Sequence, residues 1–219
     1  MPNIPEAVIA MLATASIGAI WSSCSPDFGN KAILDRFSQI KPKFVIASDG
    51  YYYKGKIFDC EKKINNIINS LETVEQKIIV NYISNKNSNW IEMFNNDALE
   101  IVFEQVPFNH PLYIMYSSGT TGTPKSIVHS AGGTLLQHLK EHLLHGDLKN
   151  SHKIFYFTTC GWMMWNWLVS SLGVGASIVL YDGHPFFPEN DSLLKKMSDL
   201  DIDVFGTSAK YIASLNSMN

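Results

Sequence analysis

Hydrophobic and polar positions alternate along this chain in two rhythms, one of period 3.6 and one of short apolar runs. A long run of small and apolar residues fills positions 7–20 and reads as a buried helix ending near Ile17. Asn3 is placed to cap it, with Glu6 three residues on and Pro5 in the first turn. A short strand is expected near 20–22. Ile33, Phe37 and Ile40 recur at helical spacing, so 31–40 reads as an amphipathic helix. The apolar run 44–47 suits a buried strand, 57–71 a polar-faced helix, and 77–82 a further strand. The Asn-, Ser- and Lys-rich stretch 83–96 reads as a loop with a short helix. Beyond it, strands are expected at 112–115, 154–157 and 177–181, and helices at 134–144, 162–172 and 192–200, the last capped by Asp191. Asp201 and Asp203 read as a strand edge. Alternating elements of this kind predict an α/β fold with largely parallel sheets flanked by helices. Neither an internal repeat nor an interdomain linker is evident.

Composition narrows the class. With 219 residues, 46% of them hydrophobic, the chain can bury a sizeable core. A net charge of −3 without a basic cluster argues against nucleic acid as a partner. The apolar stretch 7–20 imitates a signal-peptide core, but it lacks a basic leader, follows Glu6 and is too short to span a bilayer. No membrane partner is expected. The three cysteines, Cys24, Cys60 and Cys160, are odd in number and isolated, which fits a reducing, cytoplasmic setting.

The most informative chemistry lies at 116–125, Tyr-Ser-Ser-Gly-Thr-Thr-Gly-Thr-Pro-Lys, directly after an apolar run. Hydroxyls, backbone N–H groups and one ammonium gathered in a glycine-bent loop suit a polyanion such as a phosphate chain. The spacing is not that of a Walker A loop, because Thr123 and Pro124 separate Gly122 from Lys125. A flexible polar surface loop is the plainer reading of the same composition.

The full pattern resembles the phosphate-binding loop of the adenylate-forming acyl-CoA synthetase superfamily, with Ser126 standing where most members carry glycine. The resemblance extends through 126–130 and through Thr158-Thr159-Cys160-Gly161-Trp162-Met163-Met164-Trp165-Asn166-Trp167-Leu168, which is similar to the acyl-pocket region of the acetoacetate–CoA ligases. The segments 2–7 and 20–29 resemble the same branch. It implies an ATP-dependent acid–thiol ligase, using ATP, Mg²⁺ and CoA, that activates acetoacetate as an acyl-adenylate. A ligase for acetate or another short acid, or a catalytically dead nucleotide-binding or interaction domain, remains open. By the same resemblance Ser117, Ser118, Gly119, Thr120, Thr121, Gly122, Thr123 and Lys125 hold ATP or pyrophosphate. Gly161, Trp162, Trp165, Asn166 and His129 border the acyl pocket. Small molecules are the expected partners.

Each of these residues has a plainer reading. Residues 162–167 are apolar nearly all round, as in a fully buried helix, and a lone His129 is more often structural. His138, His142 and His145 share a helix face about 100° from the stripe Leu135, Leu136, Leu139 and Leu143. Without a fitting carboxylate they are not read as a metal site. The family's downstream Tyr-Gly-x-Thr-Glu segment, its ribose-binding aspartate and its catalytic lysine have no counterpart here. The expectation is therefore that 1–219 is an incomplete AMP-binding (adenylation) domain. It would lack the C-terminal mobile domain and have the remainder of the ligase as a possible partner, and no catalytic residue is assigned within it.

Overall fold

The computed structural model describes residues 1–84, 89–93, 100–117 and 122–218. Its architecture is α/β. Helix α1 (Pro5–Ser16) starts on a proline and buries Ala7, Val8, Ala10 and Met11. Asn3 does not cap it. Its side-chain oxygen instead accepts the indole N–H of Trp165 at 2.8 Å, and Ile4 occupies the uncapped N-terminal position. The buried indole N–H takes the acceptor that a helix cap would otherwise use.

Helix α2 (Asn30–Ile40) follows, then β1 (Phe44–Ser48), β2 (Gly50–Tyr53) and β3 (Lys56–Asp59). β2 and β3 form an antiparallel hairpin turned at Lys54 and Gly55, both with positive φ. That turn suits the right-handed twist of the strands, and Tyr51 stacks on Phe58 across it at 5.0 Å. The helix expected over 57–71 is therefore shorter, α3 (Glu61–Asn69), and its first residues belong to β3. β4 (Gln76–Val80) returns parallel to β1, with Ile46 opposite Ile78. β1 is less buried than expected, with Phe44 exposed at its start. Helix α4 (Asn89–Glu92) is the short helix foreseen in the polar stretch.

β5 (Pro111–Tyr116) and β6 (Ser126–Ser130) make a second antiparallel hairpin. The strand expected near 20–22 reduces to one bridge, in which Trp21 N–H donates to Leu112 and Trp21 C=O accepts from Ile114. Helix α5 (Ala131–Lys140) runs into a π-helical turn, 141–145. β7 (Lys153–Tyr156) is the centre of a parallel sheet between β8 (Ser177–Val179) and β9 (Val204–Gly206). α6 (Met163–Ser170) and α7 (Ser192–Asp199) are its crossovers, and α8 (Ala209–Ser217) follows β9. Asp191 precedes α7 but makes no side-chain cap; its carboxylate pairs with Lys195 at 3.1 Å. Asp201 lies in a positive-φ turn, and Asp203 accepts Lys153 N–H at the β7 edge.

The inner face of α5 and of the turn that follows it is polar. Thr134, His138 and His142 are buried, while Leu135, Leu136 and Leu143 are exposed. His142 explains part of this: its Nε2 lies 3.0 Å from the Trp167 carbonyl and 2.9 Å from Ser170 Oγ, and its ring packs on Trp167 at 4.4 Å. The main core joins α1 to Trp21, Tyr113, Cys160, Trp165 and Val169. No helix among the described residues is long and apolar enough to cross a membrane.

Candidate phosphate-binding and acyl-binding site

β5 delivers the loop. Its apolar residues pack inward, with Tyr113 at 2% exposure, and its last residue Tyr116 pairs with Ser126 on β6. Ser126, the departure from the family's glycine, is thus a strand residue, where a side chain costs less backbone entropy than glycine. The neck is closed by two bonds: Ser117 N–H donates to Lys125 C=O at 3.0 Å, and Lys125 N–H donates to Ser117 Oγ at 3.1 Å. The Lys125 side chain is exposed and enters no ion pair among the described residues. Thr123 is exposed beside it, and a Cβ built on Gly122 meets nothing within 4 Å. Ser118, Gly119, Thr120 and Thr121 lie outside the described residues.

Three residues that sequence reasoning missed surround this neck. Ser22 Oγ donates to Ile114 C=O at 2.9 Å and lies 3.5 Å from the Tyr116 hydroxyl. The Arg36 guanidinium sits 5.7 Å from the Tyr116 ring centroid, and Gln39 Nε2 donates to the Pro124 carbonyl at 2.7 Å. Helical spacing put Ile33, Phe37 and Ile40 inward on α2, but nothing in it names what the polar side faces.

The acyl-pocket candidates approach the same stem from α6. Asn166 is buried at 2%, and its Nδ2 points to Met115 Sδ at 3.6 Å, one residue before Tyr116. Its Oδ1 has no partner among the described residues. Trp165 is fully enclosed, bonded to Asn3 and stacked on Trp21 at 6.4 Å, whereas Trp162 is 60% exposed. Gly161 is held close to the 24–25 backbone, where a Cβ would come 3.1 Å from Ser25 N. Ser23 Oγ donates to the neighbouring Cys160 carbonyl at 2.5 Å. His129 on β6 is half-buried with its ring 5.0 Å from Tyr113, and burial lowers its pKa, which keeps it an uncharged imidazole near neutrality. The structure thus brings Ser117, Lys125 and Asn166 around one strand end.

Two features are excluded from the chemistry. Cys160 is fully buried, and burial pushes its thiol up to about 12, so it offers no thiolate. A groove of about 970 Å³, lined mostly by apolar side chains such as Ile9, Ile17, Ile20, Phe37, Ile40 and Phe44 with Lys41, Lys43 and Lys63 also at it, is chiefly an apolar surface rather than a phosphate cradle. Among the described residues no three His, Cys, Asp or Glu side chains gather as a metal site.

Comparison with known proteins gives a consistent result. A family model described as AMP-binding enzyme matches residues 1–217. Acetoacetyl-coenzyme A synthetase of Rhizobium meliloti (strain 1021) is 54% identical over 97% of this chain and 34% of its own length. Acetoacetyl-CoA synthetase of Gallus gallus is 48% identical over 100% of this chain and 35% of its own. The solved acetoacetyl-CoA synthetase from Streptomyces lividans superposes with a TM-score of 0.95 at 44% identity, over 100% of this chain and 34% of that one. The chain spans about a third of the length of the relatives it matches.

Proposed function

Because the chain belongs to the family of AMP-binding enzymes, we propose that it is the pyrophosphate-gripping part of an ATP-dependent acid–thiol ligase acting on acetoacetate. The observation that carries this reading is the closed neck between Ser117 and Lys125, which presents a hydroxyl-rich loop and one exposed ammonium at the end of β5. The relatives' names support the choice of acid, and acetate or another short acid is the second candidate because the phosphate loop is shared across the superfamily.

A carboxylate is a poor electrophile. In the proposed reaction its oxygen attacks the α-phosphorus of ATP, the bond to the bridging oxygen breaks, and pyrophosphate leaves with the electron pair. A CoA thiolate then attacks the acyl carbon and AMP departs. In the first step this chain's residues neutralise and hold the leaving group. Ser117, Thr123 and Lys125, with Ser118, Gly119, Thr120, Thr121 and Gly122, are assigned to the β- and γ-phosphates. These donors are hydroxyl, N–H and ammonium, which fit phosphate oxygens rather than a metal cage, so Mg²⁺ is assigned no ligand in this chain. Gly161, Trp162 and Asn166 are assigned to the acyl wall, with Trp165 supporting it from behind and His129 as a neutral donor or acceptor across the stem.

We assign 1–219 to one part of the adenylation domain and place the protein in the cytoplasm, in keeping with three buried, unpaired cysteines. The test is acid-dependent exchange of labelled pyrophosphate into ATP by the polypeptide that carries this chain. Acetoacetate should support the fastest exchange, ahead of acetate and butyrate. Equal or faster exchange with acetate would move the assignment to the second candidate, and exchange with none of the three would end it.

A further inference from the structure

Two side chains of α2, neither of them part of the loop, hold the two stems of the phosphate loop. At the incoming stem the Arg36 guanidinium spans two rings, 5.7 Å from the centroid of Tyr116 and 4.9 Å from that of Phe28. The Tyr116 hydroxyl answers by donating to the Arg36 carbonyl at 3.2 Å. At the outgoing stem the Gln39 amide donates to the Pro124 carbonyl at 2.7 Å and to its own helix at the Asp35 carbonyl at 2.6 Å. Residues three apart share one side of a helix, so a single rigid element reaches both stems. Between them the Ser117–Lys125 bonds draw the stems together.

We infer that α2 is a two-point brace for the phosphate loop, with Arg36 and Gln39 as positioning residues that set the loop before ATP arrives. The inference rests on reading 117–125 as the grip for the pyrophosphate end of ATP. Its physical basis is preorganisation. Backbone that is restricted before its ligand arrives loses less conformational freedom on binding. Gln39 is solvent-exposed, so its packing contributes little to the core. What its amide does is tie α2 to a carbonyl far away in the chain. Arg36 is half-buried between two rings with its Nη1 on the Ala32 carbonyl, fixed as a flat support rather than a free cation.

Amide hydrogen exchange in the ligand-free polypeptide that carries this chain tests the brace without relying on the ligand. Gln39→Ala removes the amide, and Gln39→Glu keeps its shape but replaces the donor with a carboxylate that repels the Pro124 carbonyl. Both variants should raise exchange of the Lys125 amide, which is bonded to Ser117 Oγ, at least about threefold while leaving the β7 amides unchanged. Arg36→Leu should act at 116–117 instead. Each Gln39 variant should also weaken binding of magnesium pyrophosphate by about three- to tenfold, the worth of one hydrogen bond. Unchanged exchange at the loop, or an equal rise throughout the chain, would overturn the brace. If the unsubstituted chain ignores pyrophosphate while the exchange pattern appears as described, the grip reading falls and the brace stands as a loop-ordering contact.

Discussion

At the scale of single residues, environment separates side chains that the sequence presents as equals. Trp162 and Trp165 sit in one aromatic run, yet the first is 60% exposed and the second is fully enclosed. Trp165→Ala is expected to cost about 3–5 kcal/mol by leaving a cavity against Trp21 and an unpaired Asn3 oxygen. Trp162→Ala should change stability by less than about 0.5 kcal/mol. In the whole ligase it should widen the range of acids accepted. Urea unfolding and turnover with a series of acids separate these outcomes, and a reversal would exchange the two assignments. Asn3 illustrates why residue roles are only partly legible beforehand. Its position before a helix points to a cap, and only the fold brings Trp165, 162 positions away, within bonding distance. Arg36 and Gln39 are hidden in the same way. The loop differs from them in that its candidate chemistry is contiguous in the sequence.

At the scale of elements, apolar runs and helical spacing are readable in the sequence, and elements without either signal are not. Helix α2 and strands β7 and β8 fall where apolar spacing puts them, whereas β6 and β9 are not marked by it, and the β2–β3 hairpin turns on Lys54 and Gly55, a two-residue signal inside a segment that also fits a helix. Helix α5 misleads more deeply, because its polar residues go inward. That inversion has a pH consequence. Burial pushes the His138 imidazole down to about 4, with His142 and His129 opposing its charge and Glu141 favouring it. Between its ordinary value near 6.5 and about 4, the unfolded chain takes up a proton that the folded chain refuses. Stability should therefore be unaffected by this group above pH 6.5, fall as pH drops through that window, and level off below it. The loss should reach roughly 3 kcal/mol. Urea unfolding at pH 7, 5 and 4 should show that slope, and His138→Gln should make it shallower, the remainder coming from His129, His142 and His184, whose imidazoles burial also pushes down. An unchanged slope in the variant would place the acid sensitivity elsewhere.

At the scale of the whole molecule, much apolar surface faces outward. Ile17 is 68% exposed, Leu136 66% and Leu144 77%, and the apolar groove beside α1 adds to them. Surfaces of this kind ordinarily have a cover. The relatives are about three times as long as the matched chain. The isolated chain should then enhance the fluorescence of a hydrophobic dye such as ANS while keeping its secondary structure; a chain that leaves the dye dark would mean these faces are self-contained. The central claim, that residues 117–125 grip pyrophosphate, is tested most directly by calorimetric titration of the chain and its Lys125→Ala variant with magnesium pyrophosphate. The account predicts a single site that weakens at least about tenfold in the variant, the worth of one charge-assisted contact. Equal affinities, or no binding by the unsubstituted chain, would contradict it.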